Sequence, residues 1–174
     1  MSAITLVQLL AIMPLARPRA EAFLAPLNAA MVEFGITTPA RQASFLSQVG
    51  HESGQLRYVR ELASGQAYEG RADLGNTQRG DGVRFRGRGL LQVTGRANYA
   101  ACARALGLDL LAQPDLLEKT VNACRSAGWF WQTRGLNALA DAGDQERVTR
   151  RINGGVNGLA ERLALFQAAR KALA

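Results

Sequence analysis

Between Ser64 and Gly82 the chain loses every apolar period, and Gly65, Gly70, Gly75, Gly80 and Gly82 punctuate a long polar segment. Helical spacing runs up to this segment and resumes after it, so any fold must set a long structured loop between two helical stretches. A loop of that length inside a compact domain is usually a working surface.

Upstream, ITLVQLLAIMPLA reads as an amphipathic first helix capped by Thr5. It lacks the basic start of a secretory segment, and Gln8 and Pro14 interrupt its apolar run, so no signal peptide is expected. EAFLAPLNAAMVEF and ARQASFLSQVGHE follow at helical spacing, the second opened by Thr38-Pro39 and expected to stop near Gly54. Downstream, VRFRGRGLLQVTG predicts short extended segments or a small hairpin, and RANYAACARALG a helix. Pro114 then starts one long helix, PDLLEKTVNACRSAGWFWQTRG, carrying Trp129, Phe130 and Trp131. LNALAD and DQERVTRRI predict short helices, NGGVNG a turn, and LAERLALFQAARKALA a closing amphipathic helix. The expected fold is mainly α with a small β-hairpin element, as a single domain over residues 1–174. No other run approaches membrane-spanning length.

Hydrophobic residues at 48% and charged residues at 20% exclude disordered and fibrous classes. The net charge of +7 rests almost wholly on Arg, since Lys119 and Lys171 are the only lysines. That balance favours an acidic polymer, whether nucleic acid, an anionic membrane surface or a charged cell wall, without choosing among them. Cys102 and Cys124 sit in apolar helical patterns and read as buried free thiols.

With a lone histidine and two distant cysteines, no metal site is expected. His51-Glu52 opens like a zinc-binding HExxH helix, but position 55 is Gln. Ser47 lies one helical turn before His51, yet no nucleophile elbow is present. The G-x-G within RFRGRG has neither the Lys-Ser/Thr nor the βαβ unit of a phosphate loop. Carboxylates remain. Glycoside cleavage needs two, one protonated to donate to the leaving oxygen and one ionised to activate water. Glu52 near a helix end and Glu61 on the segment after it fit those roles, although on residues alone a pair of Glu is more often surface charge.

QVGHESG, RELASG, FRGRGLLQVTGRANY, WFW and RINGGVNG resemble glycoside hydrolase family 19 in order and spacing, from about Arg41 to the C-terminus. The resemblance implies a two-lobed, lysozyme-like fold around a sugar cleft, and this chain is similar to the compact, phage-type members called endolysins. It implies Glu52 as general acid and Glu61 as general base. It also implies Gln92 as a cleft contact, Thr94 as the hydroxyl helping hold the attacking water, Asn98 as a substrate-binding amide, Asn153 as another polar group of the cleft, and Arg162 as a late Arg orienting the base. The family inverts configuration, which calls for carboxylates roughly 6.5–9.5 Å apart. It implies no cofactor.

Plainer roles stay open for several of these positions. Thr94 can satisfy a turn, Asn98 can cap the following helix, and Asn153 can hold a left-handed position before two glycines. His51 diverges from Glu52 on the helix and reads as a packing or hydrogen-bonding group. Tyr58, Tyr68 and the Trp129–Trp131 cluster read as core or as sugar platforms.

Chitin and peptidoglycan share β-1,4-linked N-acetylglucosamine, but peptidoglycan adds acidic peptide stems that a chain of +7 attracts. The chain is also shorter and poorer in cysteine than the plant chitinase pattern. A lysozyme-like wall hydrolase is therefore the expectation, with chitinase as the alternative. Its expected partner is the peptidoglycan glycan strand, reached by a monomer from the host cytoplasm once a separate pore-former opens the inner membrane. A nucleic-acid-binding module is disfavoured because the Arg residues are spread along the chain rather than gathered with aromatics. Arg162, Arg170 and Lys171 beside Leu163, Leu165 and Phe166 give the last helix a possible membrane contact, though packing is its ordinary role.

Overall fold

The computed structural model describes residues 3–174. In chain order the helices are α1 (Leu6–Ile12), α2 (Ala20–Glu33), α3 (Pro39–Glu52), α4 (Asp81–Arg84), α5 (Arg96–Leu106), α6 (Thr120–Thr133), α7 (Leu136–Asp141), α8 (Gln145–Asn153) and α9 (Leu159–Ala172). Short 3-10 turns cover Pro14–Ala16, Gln66–Tyr68, Ala72–Leu74 and Pro114–Glu118.

Local chemistry accounts for the helix starts. Thr5 and Gln8 form a reciprocal capping box at α1. The Thr38 hydroxyl accepts from the Arg41 N–H at the start of α3, with Pro39 in the first turn, where its missing N–H costs nothing. Every residue from Gln42 to Gly50 is buried, so α3 is covered on all sides and forms the axis of the molecule. It packs chiefly against α9, while α2 packs on α6. Phe45 of α3 meets Trp131 of α6 edge to face, ring centroids 5.4 Å apart, and the indole N–H of Trp131 donates to Asn137. Cys102 and Cys124 are free and buried. Burial pushes the Cys102 thiol up to about 12 and the Cys124 thiol further up.

Two expectations are corrected. The stretch VRFRGRGLLQVTG is not a hairpin of strands. Val83 and Arg84 end α4, and only isolated antiparallel pairs remain, Arg60 with Arg88 and Arg88 with Val93. Phe85, fully buried against Tyr99, makes the segment turn inward instead of extending. The long helix from Pro114 is broken in two at Lys119, whose extended backbone (φ −69°, ψ 135°) separates a 3-10 turn from α6.

The glycine-punctuated segment is ordered by side-chain-to-backbone bonds. Asn76, buried, donates to the Tyr68 carbonyl and accepts from the Arg96 N–H. Glu69 accepts from the N–H groups of Gly80 and Gly82. Asp81, 1% exposed, takes a two-pronged grip from Arg96 at 2.6 and 2.8 Å, tying the loop to α5.

The Arg96 hydrogen bonds hold the Asp81 carboxyl below its usual range. A lowered carboxyl adds stability that is present above the unfolded value near ~3.9 and is lost as pH falls through the folded value. Asp81→Asn should therefore lower the thermal midpoint by roughly 5 °C at neutral pH. Melts over a pH series should show the gap to wild type closing below about pH 4.

Candidate active site

Glu52 is the last residue of α3, and the turn behind it is unusual. The Ser53 hydroxyl donates to the Val49 carbonyl and accepts from the Leu56 N–H. Gly54, Gln55 and Leu56 then lie consecutively in the left-handed region, at φ 55°, 57° and 66°. Two of these carry side chains, and a branched residue at positive φ is costly. The burial of Leu56, 1% exposed, anchors that conformation. It folds the chain back so that the segment from Tyr58 to Glu61 runs beside the 87–89 loop, where the Gly89 N–H donates to Val59 O and the Glu61 N–H to Gly87 O.

Consecutive residues of α3 meet consecutive residues of α9. His51 Nδ1 lies 2.7 Å from Glu161 Oε2, its ring seated against Gly158, where any Cβ would collide with it. Arg162, 1% exposed, donates from Nη2 to Glu52 Oε1 at 2.5 Å, from Nη1 to Gln48 Oε1 at 2.6 Å and from Nε to Asn157 O at 3.1 Å. Gln48 passes the chain on, donating to Thr149 Oγ1, which donates to Gln145 O. Among the described residues nothing donates to Glu52 Oε2, so one oxygen is fixed and the other is open. Arg162, expected to orient the base, is instead bonded to Glu52.

Glu61 is held differently. Its Oε2 accepts from the Tyr68 hydroxyl at 2.8 Å and its Oε1 from the Gly87 N–H at 3.0 Å, so it is an acceptor at both oxygens. Burial, and then the bond to Glu61, pushes the Tyr68 phenol above its ordinary range, which keeps it a donor at neutral pH. Gly87 is required by close approach: a Cβ there would lie 2.4 Å from Gln92 Oε1 and 3.2 Å from Thr94 Oγ1. Glu61, Gln92 and Thr94 are thus gathered around one peptide. Gln92 holds φ 49°, a strained value for its residue type. The loop is pinned from below by Arg88, buried, which donates to Glu118, to the Arg84 carbonyl and to the Tyr99 hydroxyl.

Asn98 joins the same wall. Its amide donates to the Thr94 carbonyl rather than capping α5, and Gln92, Thr94 and Asn98 line a small cavity with Trp129, Phe130 and Arg134. Trp129, Phe130 and Trp131 are all buried. Asn153 stands apart: it closes α8 with helical backbone, Gly154 taking the left-handed position, and its exposed side chain bonds to none of the other candidates. Tyr68 and Gln48 were not among the expected polar partners. Gln48 had a signal, since it precedes Glu52 by one helical turn, whereas Tyr68 reaches Glu61 through a loop with no period to betray it.

Two open cavities meet at Arg57 and Tyr58. One, about 540 Å³, begins at Gly54 and runs to Leu15, Arg19 and Glu161. The other, about 280 Å³, holds Glu61 with Arg60, Arg86 and Glu118. Among the described residues no group of three or more His, Cys, Asp and Glu side chains is placed to hold a metal ion, and no helix is long and apolar enough to cross a membrane.

Comparison with known proteins adds the context. A family model described as chitinase class I, of the glycoside hydrolase 19 type, matches residues 29–142. A glycosyl hydrolase family 19 domain-containing protein of Haemophilus influenzae is 34% identical over 173 residues, covering 82% of this chain and 84% of that protein. An endochitinase of Arabidopsis thaliana is 34% identical over 136 residues, 78% of this chain, but the chain spans only 47% of that relative's length. In structure the chain resembles a bacterial family 19 chitinase, with a TM-score of 0.80 at 24% identity over 99% of this chain and 95% of that one. It also resembles chitinase C from Streptomyces griseus, with a TM-score of 0.78 at 23% identity over 98% and 92%. These two likenesses carry the lysozyme-like helical fold.

Removing the Arg162 guanidinium should strand Glu52 and Gln48 together. Arg162→Gln is expected to cost about 3 kcal/mol, a fall of roughly 6–12 °C in the thermal midpoint. In a double-mutant cycle with Glu52→Gln, followed by denaturant unfolding, the two losses should be clearly less than additive.

Proposed function

The chain belongs to glycoside hydrolase family 19, and from that premise we propose that it cleaves the β-1,4 glycosidic bonds of bacterial peptidoglycan as a lytic, endolysin-type enzyme. Glu52 serves as general acid and Glu61 as general base in an inverting displacement. The observation that carries the assignment is the unequal hold on the two carboxyl groups. Glu52 is steered by one guanidinium on one oxygen, with the other free to carry a proton to the leaving sugar oxygen. Glu61 is aligned by a phenol and a peptide N–H, beside the Thr94 hydroxyl that would help hold the attacking water. Gln92 and Asn98 extend that wall as amide contacts for the sugar's N-acetyl and hydroxyl groups, and the exposed Asn153 is available as a further contact.

Two considerations bear on the substrate. The net charge of +7, carried into the cavities beside Glu61 as Arg57, Arg60 and Arg86, favours an acidic strand over uncharged chitin. The names of the relatives, endochitinase and chitinase C, support hydrolysis of N-acetylglucosamine polymers as the second reading.

Turbidity loss of outer-membrane-stripped bacteria, run beside a soluble chitin substrate, separates the two. Glu52→Gln and Glu61→Gln should each lose at least about a hundredfold in wall lysis; Glu61→Gln should melt within a few degrees of wild type, while Glu52→Gln, which leaves the buried Arg162 without its carboxylate, should melt roughly 6–12 °C lower yet stay folded at the assay temperature. Lysis that survives Glu52→Gln would reject the acid assignment, and activity confined to chitin would select the second reading. Proton NMR of fresh product should show the α anomer, the signature of inversion.

A further inference from the structure

Of the four arginines that line the two cavities meeting at Tyr58, Arg60 alone pairs with a carboxylate among the described residues. Glu118 is taken by Arg88 at 2.8 Å and Arg60 at 3.6 Å, and Glu161 by His51. Arg57 and Arg86 pair with no carboxylate among the described residues: Arg57 rests over the Tyr58 ring at 5.1 Å, and Arg86 has its Nε buried with no acceptor. Arg19, at the far end of the larger cavity, repeats the pattern, with Nη2 on the Leu15 carbonyl and Nε buried without a partner. A buried donor left unmade is costly, and two of them flank one groove.

We propose that Arg57 and Arg86 form a carboxylate-recognition site that makes the enzyme selective for acidic glycan strands over neutral ones. This rests on the peptidoglycan reading and names how that substrate is told apart from chitin. N-acetylmuramic acid carries a lactyl ether, and its attached peptide ends in further carboxylates. The lactyl carboxyl is amide-bonded to the stem in intact strands, so the anion beside the sugar backbone is a stem carboxylate there and the lactyl carboxylate only where the stem has been removed. Arg57 borders both cavities, and Arg86 shares with Glu61 the one that receives the strand. Guanidinium suits the task because its planar fork takes a carboxylate through two parallel N–H bonds, and the Tyr58 face already orients Arg57. A neutral N-acetylglucosamine polymer would cover the same guanidinium groups without pairing them, so the site works as much by rejecting chitin as by attracting the wall.

The test is kcat/KM for wild type, the Arg57→Gln/Arg86→Gln double variant and its Lys/Lys counterpart. The substrates are soluble peptidoglycan strands with intact stems, the same strands with carboxylates amidated, strands with stems removed so that the lactyl carboxylate remains, and an N-acetylglucosamine hexamer. Each comparison is a ratio within one preparation, so a loss of folded protein cancels. Wild type should prefer intact over amidated strands by about tenfold, mainly through KM, and the Gln variant by less than about threefold, with Lys restoring most of the preference. Preference kept on stem-free strands shows that the Arg pair also takes the lactyl carboxylate exposed by stem removal, and preference lost there confines recognition to the stem carboxylates. A double variant that keeps the wild-type ratio, or a wild type indifferent to amidation, overturns the Arg assignment and leaves peptidoglycan hydrolysis standing. A wild type that cuts only the hexamer overturns the hydrolysis reading, and this inference with it.

Discussion

The Arg162 guanidinium is the interaction on which the site depends. It is fully buried in α9, yet its three bonds reach the end of α3, the preceding turn of α3 and the loop that enters α9. A charge in that position is tolerated only because each arm meets an acceptor, two of them a carboxylate and an amide oxygen. The consequence runs outward. Gln48, fixed by Arg162, fixes Thr149, and through it α8 is coupled to the axis helix. The His51–Glu161 contact beside it repeats the pairing in reversed sense, so the register of α9 against α3 is specified twice by adjacent residues. Hydrophobic packing alone would tolerate a slip that these two pairs forbid.

The second wall is built from backbone. Glu61 is reached because three left-handed residues turn the chain just past Ser53, and it is oriented by a peptide N–H whose own residue can have no side chain. Rigidity on this side comes from peptide geometry and from Arg88 beneath, whereas on the Glu52 side it comes from a side-chain network. The two carboxyl groups therefore sit in unlike surroundings although only nine residues separate them.

Most helices were legible because their signals are local. Thr5, Thr38 and Gly107 mark ends, and the apolar period of α2 matches the face it buries. The segment after Gly82 misled because alternation in VRFRGRG reads as a strand, while Phe85 is drawn into the core and the neighbouring glycines serve close approach instead of extension. The break at Lys119 carried no proline or glycine and was invisible to pattern. At the site, family likeness singled out Glu52 and Glu61 as candidates, but nothing in the sequence pointed to the side chains that hold them. Arg162 lies 110 residues from Glu52, and no period links them.

Net charge was the least specific signal in the sequence, and the structure explains why. Much of the Arg content is committed to holding the fold: Arg41 to Asp141, Arg96 to Asp81, Arg125 to Glu33, Arg88 to Glu118 and Arg162 to Glu52. The preference for Arg over Lys follows, since in the first three of these pairs both carboxylate oxygens are gripped by a fork that an ammonium cannot reproduce. A total of +7 therefore says little about where an anion would bind. What bears on ligand choice is the remainder near the cleft, the guanidinium groups whose neighbours have already spent their carboxylates on other cations. Position within the charge network, rather than the sum of charges, distinguishes a cation that holds the protein together from one that faces its substrate.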